Sequence, residues 1–131
     1  MAVDVVTEIV IARPRAEVAA FAGAPDNAPR WYDNIRSVEW QTSPPLTQGS
    51  RIAFVAQFLG RRLAYTYEVV VLEVDARLVM RTSEGPFPME TTYTWEALTS
   101  ESTRMTLRNR GEPAGFSKLV APLMASAMRR A

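Results

Sequence analysis

Three phenols fall at strand spacing in the 131-residue chain. Tyr65 and Tyr67 are two apart in "LAYTYEV", and Tyr93 follows Thr91 by two in "METTYTWEA". Side chains two residues apart share one face of a strand. Tyr65, Tyr67 and Tyr93 are therefore the candidate catalytic groups, with Thr91 or Asn109 to position a carbonyl. A free phenol ionises near pH 10, so at neutral pH it is a better acid than base. The chain has no His and no Cys. That removes the commonest general base, Ser-His and Cys-His nucleophilic machinery, disulfides and thiolate metal ligands. No metal or organic cofactor is indicated. Glu73 is the other polar group expected on the inward face. Buried, its raised pKa would suit acid-base work; at the rim it would simply be solvated.

The elements that must position these groups are legible from pattern. Residues 3–12, "VDVVTEIVIA", are β-branched and predict a strand. Residues 13–23 predict a short helix, with Pro14 at its start and Gly23 at its end. Residues 25–35 predict a second, with Asp26 or Asn27 as cap. Six strands follow, near 36–42, 50–59, 62–74, 77–84, 87–98 and 102–110. Residues 112–130 predict a closing helix, with Phe116, Leu119, Val120, Leu123, Ala127 and Met128 on one stripe and a kink or break at Pro122.

The turns set the register. A turn at Gly60-Arg61 pairs Phe58 with Leu63 and Ile52 with Val69. One at Asp75-Ala76 pairs Glu73 with Leu78 and Val71 with Met80. One at Gly85-Pro86 pairs Thr82 with Met89 and Leu78 with Tyr93. A loop at residues 99–101 pairs Trp95 with Met105 and Thr91 with Asn109. All four agree on an apolar face holding Ile52, Phe54, Ala56, Phe58, Leu63, Tyr65, Tyr67, Val69, Val71, Leu78, Met80, Met89, Tyr93, Trp95, Met105 and Leu107. A one-residue slip would flip every side chain. The opposite face is charged, with Glu90 between Arg81 and Arg110 and Glu96 facing Arg104. Val70, Leu72, Val74 and Val79 fall on that polar face by the same count. A subunit contact, and hence a homodimer, is the favoured reading; a bulge turning them inward is the alternative.

Bulk properties bound the function. The length suits one domain, 1–131, large enough to bury roughly two-thirds of its unfolded surface. Basic and acidic residues number 15 and 14, a net charge of +1, without the basic excess of a nucleic-acid binder. No apolar run approaches the ~20 residues of a membrane span, and no signal pattern opens the chain. The expected compartment is the cytoplasm, with no stable membrane insertion.

The segments "IARPRAEVAAFAGAPDNAPRWYDNI", "GSRIAFVAQFLGRRLAYTYEVVVLEVDARLVMRTSEGPFPMETTYTWE" and "TRMTLRNRGEPAGF" together resemble the START-like, birch-pollen-allergen-like superfamily, and within it the polyketide cyclase/dehydrase or lipid-transport group. The resemblance implies an α+β helix-grip fold. A curved seven-stranded antiparallel sheet wraps a long C-terminal helix, and two short helices lie between strands 1 and 2. It also implies a cavity between sheet and helix for lipids, polyketides and other mostly apolar molecules. Family members usually continue the last helix beyond "MRRA", where this chain stops at Ala131; a short helix with a more open cavity, or a trimmed chain, would account for that.

A face with three tyrosines and a Trp, closed by one helix carrying small Ala121, Ala125 and Ala127, is too broad to be filled by that helix. Apolar cavities with a few polar handles are the usual small-molecule sites. The expected ligand-binding residues are Trp31, Tyr32, Phe54, Phe58, Tyr65, Tyr67, Met80, Met89, Thr91, Tyr93, Trp95, Met105, Asn109, Phe116 and Val120. Two functions compete: a binding protein for an apolar or aromatic, lipid- or polyketide-like molecule, and a polyketide cyclase or dehydratase using the tyrosines for proton transfer.

Overall fold

A computed structural model describes residues 3–31, 35–58, 61–85 and 88–111. The predicted closing helix at 112–130, with Phe116 and Val120, lies outside the described residues, as does Tyr32. Phe58 is described in its backbone only.

Strand β1 (Val3–Ile11) leads to helix α1 (Arg15–Ala22), a 3-10 turn (Pro25–Asn27), helix α2 (Ala28–Trp31), and strands β2 (Ile35–Trp40), β3 (Arg51–Phe58), β4 (Arg61–Glu73), β5 (Arg77–Glu84), β6 (Met89–Thr99) and β7 (Ser102–Gly111). The strands form one curled antiparallel sheet in the order β1-β7-β6-β5-β4-β3-β2. The long-range pair is β1 with β7, which sets Thr7 opposite Leu107 and Ile9 opposite Met105.

The second predicted helix, 25–35, is divided: residues 25–27 form the 3-10 turn with Ala24 at its N-cap position, α2 covers Ala28–Trp31, and Ile35 already belongs to β2. Asp26 accepts a hydrogen bond from the Trp40 indole at 3.0 Å, tying the turn to β2. Asn27 donates to the Phe21 carbonyl. Helix α1 begins after Pro14 and ends at Gly23, which has ordinary right-handed backbone angles. Gly23 is there for room. A Cβ would lie 2.7 Å from the Ala19 carbonyl oxygen and 3.2 Å from the Trp95 ring. Gly23→Ala is therefore expected to cost about 1–3 kcal/mol by overpacking, read as a lower urea midpoint with an unchanged slope.

The β5–β6 and β6–β7 registers are those the turns predicted: Leu78 faces Tyr93, Trp95 faces Met105 and Thr91 faces Asn109. The β3–β4 register is corrected. Phe58 pairs with Arg61, Phe54 with Tyr65 and Ile52 with Tyr67, so the connection is residues 59–60, not 60–61. Moving a hairpin centre by one residue moves each partner by two, which keeps the faces. The same side chains therefore stay inside.

The β4–β5 register is also corrected, with larger consequences. The connection is three residues long, with Asp75 at φ 61°, in the left-handed region, and Ala76 N–H bonded to the Glu73 carbonyl. A bulge between Val69 and Val71 then adds one residue to β4. Leu72 turns inward opposite Leu78 and packs on the core. Glu73, expected inside, is exposed and bonds Arg77 at 2.8 Å. The four residues behind the expected subunit contact are divided: Leu72 joins the core, Val79 is buried, Val70 is half-buried, and Val74 is exposed in the turn.

The outer face is laced with ion pairs. Glu90 joins Arg81 and Arg110 across three strands, Arg104 bonds Glu96 at 2.8 Å, and Asp4 bonds Arg108. The hydrogen bonds from Arg110 and Arg81 hold the Glu90 carboxyl below the usual carboxylate range. The core lies on the concave face, where Ile52, Val69, Leu78 and Leu107 are fully enclosed. Among the described residues no helix is long and apolar enough to cross a membrane, and no acidic cluster has the makings of a metal site.

Candidate functional site

The concave face carries two aromatic groups. In the first, Phe54 stacks on Tyr65 at 5.5 Å between centroids, and Tyr67 meets both rings edge-on at 5.9 and 5.1 Å. In the second, Tyr93 lies edge-on between Trp31 and Trp95, at 6.0 and 5.8 Å. Met80 and Met89 are buried on the same face. The alternation of β4 and β6 put the tyrosines here, as expected from their spacing.

Three strands contribute one buried hydrogen-bonded chain. Thr91 donates to Asn109 Oδ1 at 2.8 Å, and the Tyr67 hydroxyl lies 2.8 Å from Thr91 Oγ1. Threonine has one hydroxyl proton, and it is committed to Asn109. Tyr67 must therefore donate to Thr91. Burial pushes the Tyr67 pKa up to about 12; an opposing pull from Thr91, which can turn its hydroxyl to a phenolate, is smaller, and the Glu90 charge adds to the rise. Tyr65 is also pushed well above 10, by burial and then by the neighbouring phenols.

A stability consequence follows with a definite sign. Below pH 10 Tyr67 is protonated whether the chain is folded or not. Between pH 10 and about 12 the unfolded chain loses the proton and the folded chain keeps it. Stability should thus be full below pH 10 and fall by about 2–3 kcal/mol on approaching pH 12. Urea midpoints across pH 9–12 measure the slope. Tyr67→Phe is expected to remove this share and leave the part that Tyr65, also raised above 10, contributes.

A second feature lies beside the aromatic groups. A pocket of about 410 Å³ opens between β1, β7 and α1. Its floor is Thr7, Ile9 and Ile11 with Met105 and Leu107. Val18, Phe21 and Ala22 of α1 form one wall and Trp31 another, while Arg13 and Glu17 stand at its polar edge. The geometry follows from the sequence: β1 alternates Thr7, Ile9 and Ile11 inward against Asp4, Val6, Glu8 and Val10 outward. Thr7 Oγ1 is buried and has no hydrogen-bond partner among the described residues. Leaving a hydroxyl unpaired costs about 1–3 kcal/mol.

Of the expected binding residues, Trp31 and Met105 line this pocket. Phe54, Tyr65, Tyr67, Met80, Met89, Thr91, Tyr93, Trp95 and Asn109 share the concave face but are not among its lining residues. Trp95 lines a smaller pocket of about 250 Å³, with Gly23, Leu46, Leu72 and Leu78. Sequence reasoning missed Thr7, Ile9, Ile11, Arg13, Glu17, Val18, Phe21 and Ala22, and placed Leu107 on the inward face without counting it as a binding residue. The charged residues at alternate β1 positions were a usable signal for that strand's inner face.

Comparison with known proteins gives this architecture a lineage. Residues 2–131 match the model of the family described as polyketide cyclase / dehydrase and lipid transport. The chain belongs to this family. Solved structures similar to this cyclase and lipid-transport family member include a Thermus thermophilus protein (TM-score 0.80, 22% identity, covering 98% of this chain and 90% of that one). A START superfamily protein from Mycobacterium smegmatis is similar at TM-score 0.78 and 15% identity, over 95% and 93% of the two chains. The Zhui aromatase/cyclase from Streptomyces sp. R1128 is similar at TM-score 0.75 and 15% identity, over 99% and 86%. At these identities the likeness is one of fold. Comparison with curated proteins found no match.

Proposed function

We propose that this family member is a small-molecule binding protein. It holds an apolar or aromatic, lipid- or polyketide-like ligand in the pocket between β1, β7 and α1. The observation that carries the reading is the pocket itself: about 410 Å³, within the roughly 300–1,000 Å³ typical of ligand sites, and walled by aliphatic, aromatic and Met side chains. Met105 and Trp31 give an adaptable and a rigid wall respectively. The closing helix expected at 112–130 lies outside the described residues.

The test is a fluorescence titration with N-phenyl-1-naphthylamine, an uncharged apolar dye. A saturable rise at one dye per chain is expected. A linear response without saturation would remove the proposal.

A cyclase or dehydratase using Tyr65, Tyr67 or Tyr93 is the second reading, favoured by the fold likeness to the Zhui aromatase/cyclase. The hydrogen-bonded chain weighs against Tyr67 as the acid. Its hydroxyl hydrogen is engaged in the hydrogen bond to Thr91, and a phenol of pKa about 12 lies far from the neutral range that suits proton transfer. Turnover of a polyketide-like substrate that disappears when all three tyrosines become Phe would favour the second reading.

A further inference from the structure

The pocket between β1, β7 and α1 rewards neither sign of charge on a guest. Arg13 and Glu17 stand at its edge 4.0 Å apart, and their charges cancel. The described lining carries no other charge, and Thr7 on the floor keeps its hydroxyl oxygen buried. A charge carried inward would lose its hydration with no partner to replace it. Affinity must then come from apolar contact, and apolar contact is limited by space.

That space has a definite size. An apolar cavity of about 150 Å³ takes one benzene, so each ring carbon uses about 25 Å³. At that density the volume of about 410 Å³ holds about 16 non-hydrogen atoms. The inward residues of β1, from Thr7 to Ile11, run about 13 Å along the floor. A fully extended chain of about 16 atoms would span about 19 Å and overrun it. Rings, or a chain folded back on itself, fit the same volume.

Helix α1 divides this pocket from the smaller one. Val18, Phe21 and Ala22 line the first, while Ala19, Ala20 and Gly23 line the second, of about 250 Å³. A guest able to use both would reach about 26 non-hydrogen atoms. Anchors at both ends of α1 keep the two apart. The Arg13 N–H bonds the Ile11 carbonyl at 2.8 Å, and the Arg13 carbonyl accepts from Thr103 Oγ1 at 2.8 Å. At the other end Asn27 donates to the Phe21 carbonyl at 3.1 Å, and a Cβ on Gly23 would stand 3.2 Å from the Trp95 ring.

We infer that the guest is an uncharged, compact molecule of about 16 non-hydrogen atoms, the size of two or three rings, with α1 as the fixed wall that sets this ceiling. The inference rests on the proposed binding function and adds the charge and size of the guest. A long-chain lipid would leave the rest of its chain in water and gain nothing from it.

The experiment is displacement of N-phenyl-1-naphthylamine by n-alkyl phenyl ketones from butyrophenone to dodecanophenone, in the parent, Met105→Ala and Ile9→Ala. Each added methylene should tighten binding about fourfold as far as octanophenone or nonanophenone and add nothing beyond. Each variant removes three side-chain heavy atoms from the lining, and such cavities collapse only in part, so the levelling point should move up by about two to three methylenes. Ile9 is half-buried and keeps the test open should Met105→Ala fold poorly. The sulfonate 8-anilinonaphthalene-1-sulfonate has the rings of the dye plus a charge, and should bind about tenfold more weakly, or worse. A rise that runs unbroken through dodecanophenone, levelling before hexanophenone, a levelling point unmoved in both variants, or a sulfonate as tight as the uncharged dye would overturn the inference while the pocket stands. Failure of the dye and of every ketone to bind would take the pocket reading with it.

Discussion

Ala22→Phe is expected to abolish saturable binding of N-phenyl-1-naphthylamine while leaving the protein folded. Ala22 is buried on α1 and lines the pocket. Enlarging a side chain in a close-packed core costs about 1–3 kcal/mol, because the added atoms displace others. At this position the new ring enters a void of about 410 Å³ and gains contacts instead. The loss of helix propensity from Ala to Phe is about half a kcal/mol and is offset by buried ring area. The variant should therefore melt at or above the parent temperature and give a flat dye titration. A variant that binds dye as the parent does would place the dye elsewhere. A variant that is strongly destabilised would mean that no void exists at α1.

Trp95→Ala should be the most damaging single change to stability, at about 3–5 kcal/mol. The indole is 4% exposed, packs edge-on to Tyr93 and abuts Gly23, where no side chain intervenes. Its backbone N–H bonds the Ala76 carbonyl at 2.9 Å, so β6 and the β4–β5 turn are joined at the same residue. The indole N–H, by contrast, has no hydrogen-bond partner among the described residues. Trp95→Phe removes that donor together with part of the ring. The two effects oppose each other, and the variant should lose less than half of what Trp95→Ala loses. Urea unfolding of the pair measures both numbers. Equal losses would show that the indole nitrogen makes a contact of its own.

The fold was readable where local chemistry determined it. Turn residues gave the β5–β6 and β6–β7 registers, and the face of Met89, Thr91, Tyr93 and Trp95 followed from alternation. The β3–β4 error was harmless because it was even. The β4–β5 error was not, since the bulge beyond Val69 adds an odd residue that no residue type announces, and it exchanged Leu72 for Glu73 across the sheet. The pocket was harder. Its floor depends on β1 lying beside β7, about 100 residues away in the chain, and no turn fixes that register. Aromatic content drew attention to Tyr65 and Tyr67, which pack on each other and on Phe54 instead. The cavity opened where smaller residues, Thr7 and Ala22, leave room beside Met105. Trp31 was identified because a Trp at a helix end near a sheet is either plug or wall. It touches Tyr93 as a plug and borders the pocket as a wall.

The central claim is that a guest molecule occupies the space between β1, β7 and α1. Intermolecular nuclear Overhauser effects between N-phenyl-1-naphthylamine and the methyl-labelled protein test it most directly. The account predicts cross-peaks from the dye rings to the methyls of Ile9, Ile11, Met105 and Leu107. Cross-peaks confined to Leu46, Leu72 and Leu78, around the smaller pocket beside Trp95, would contradict it.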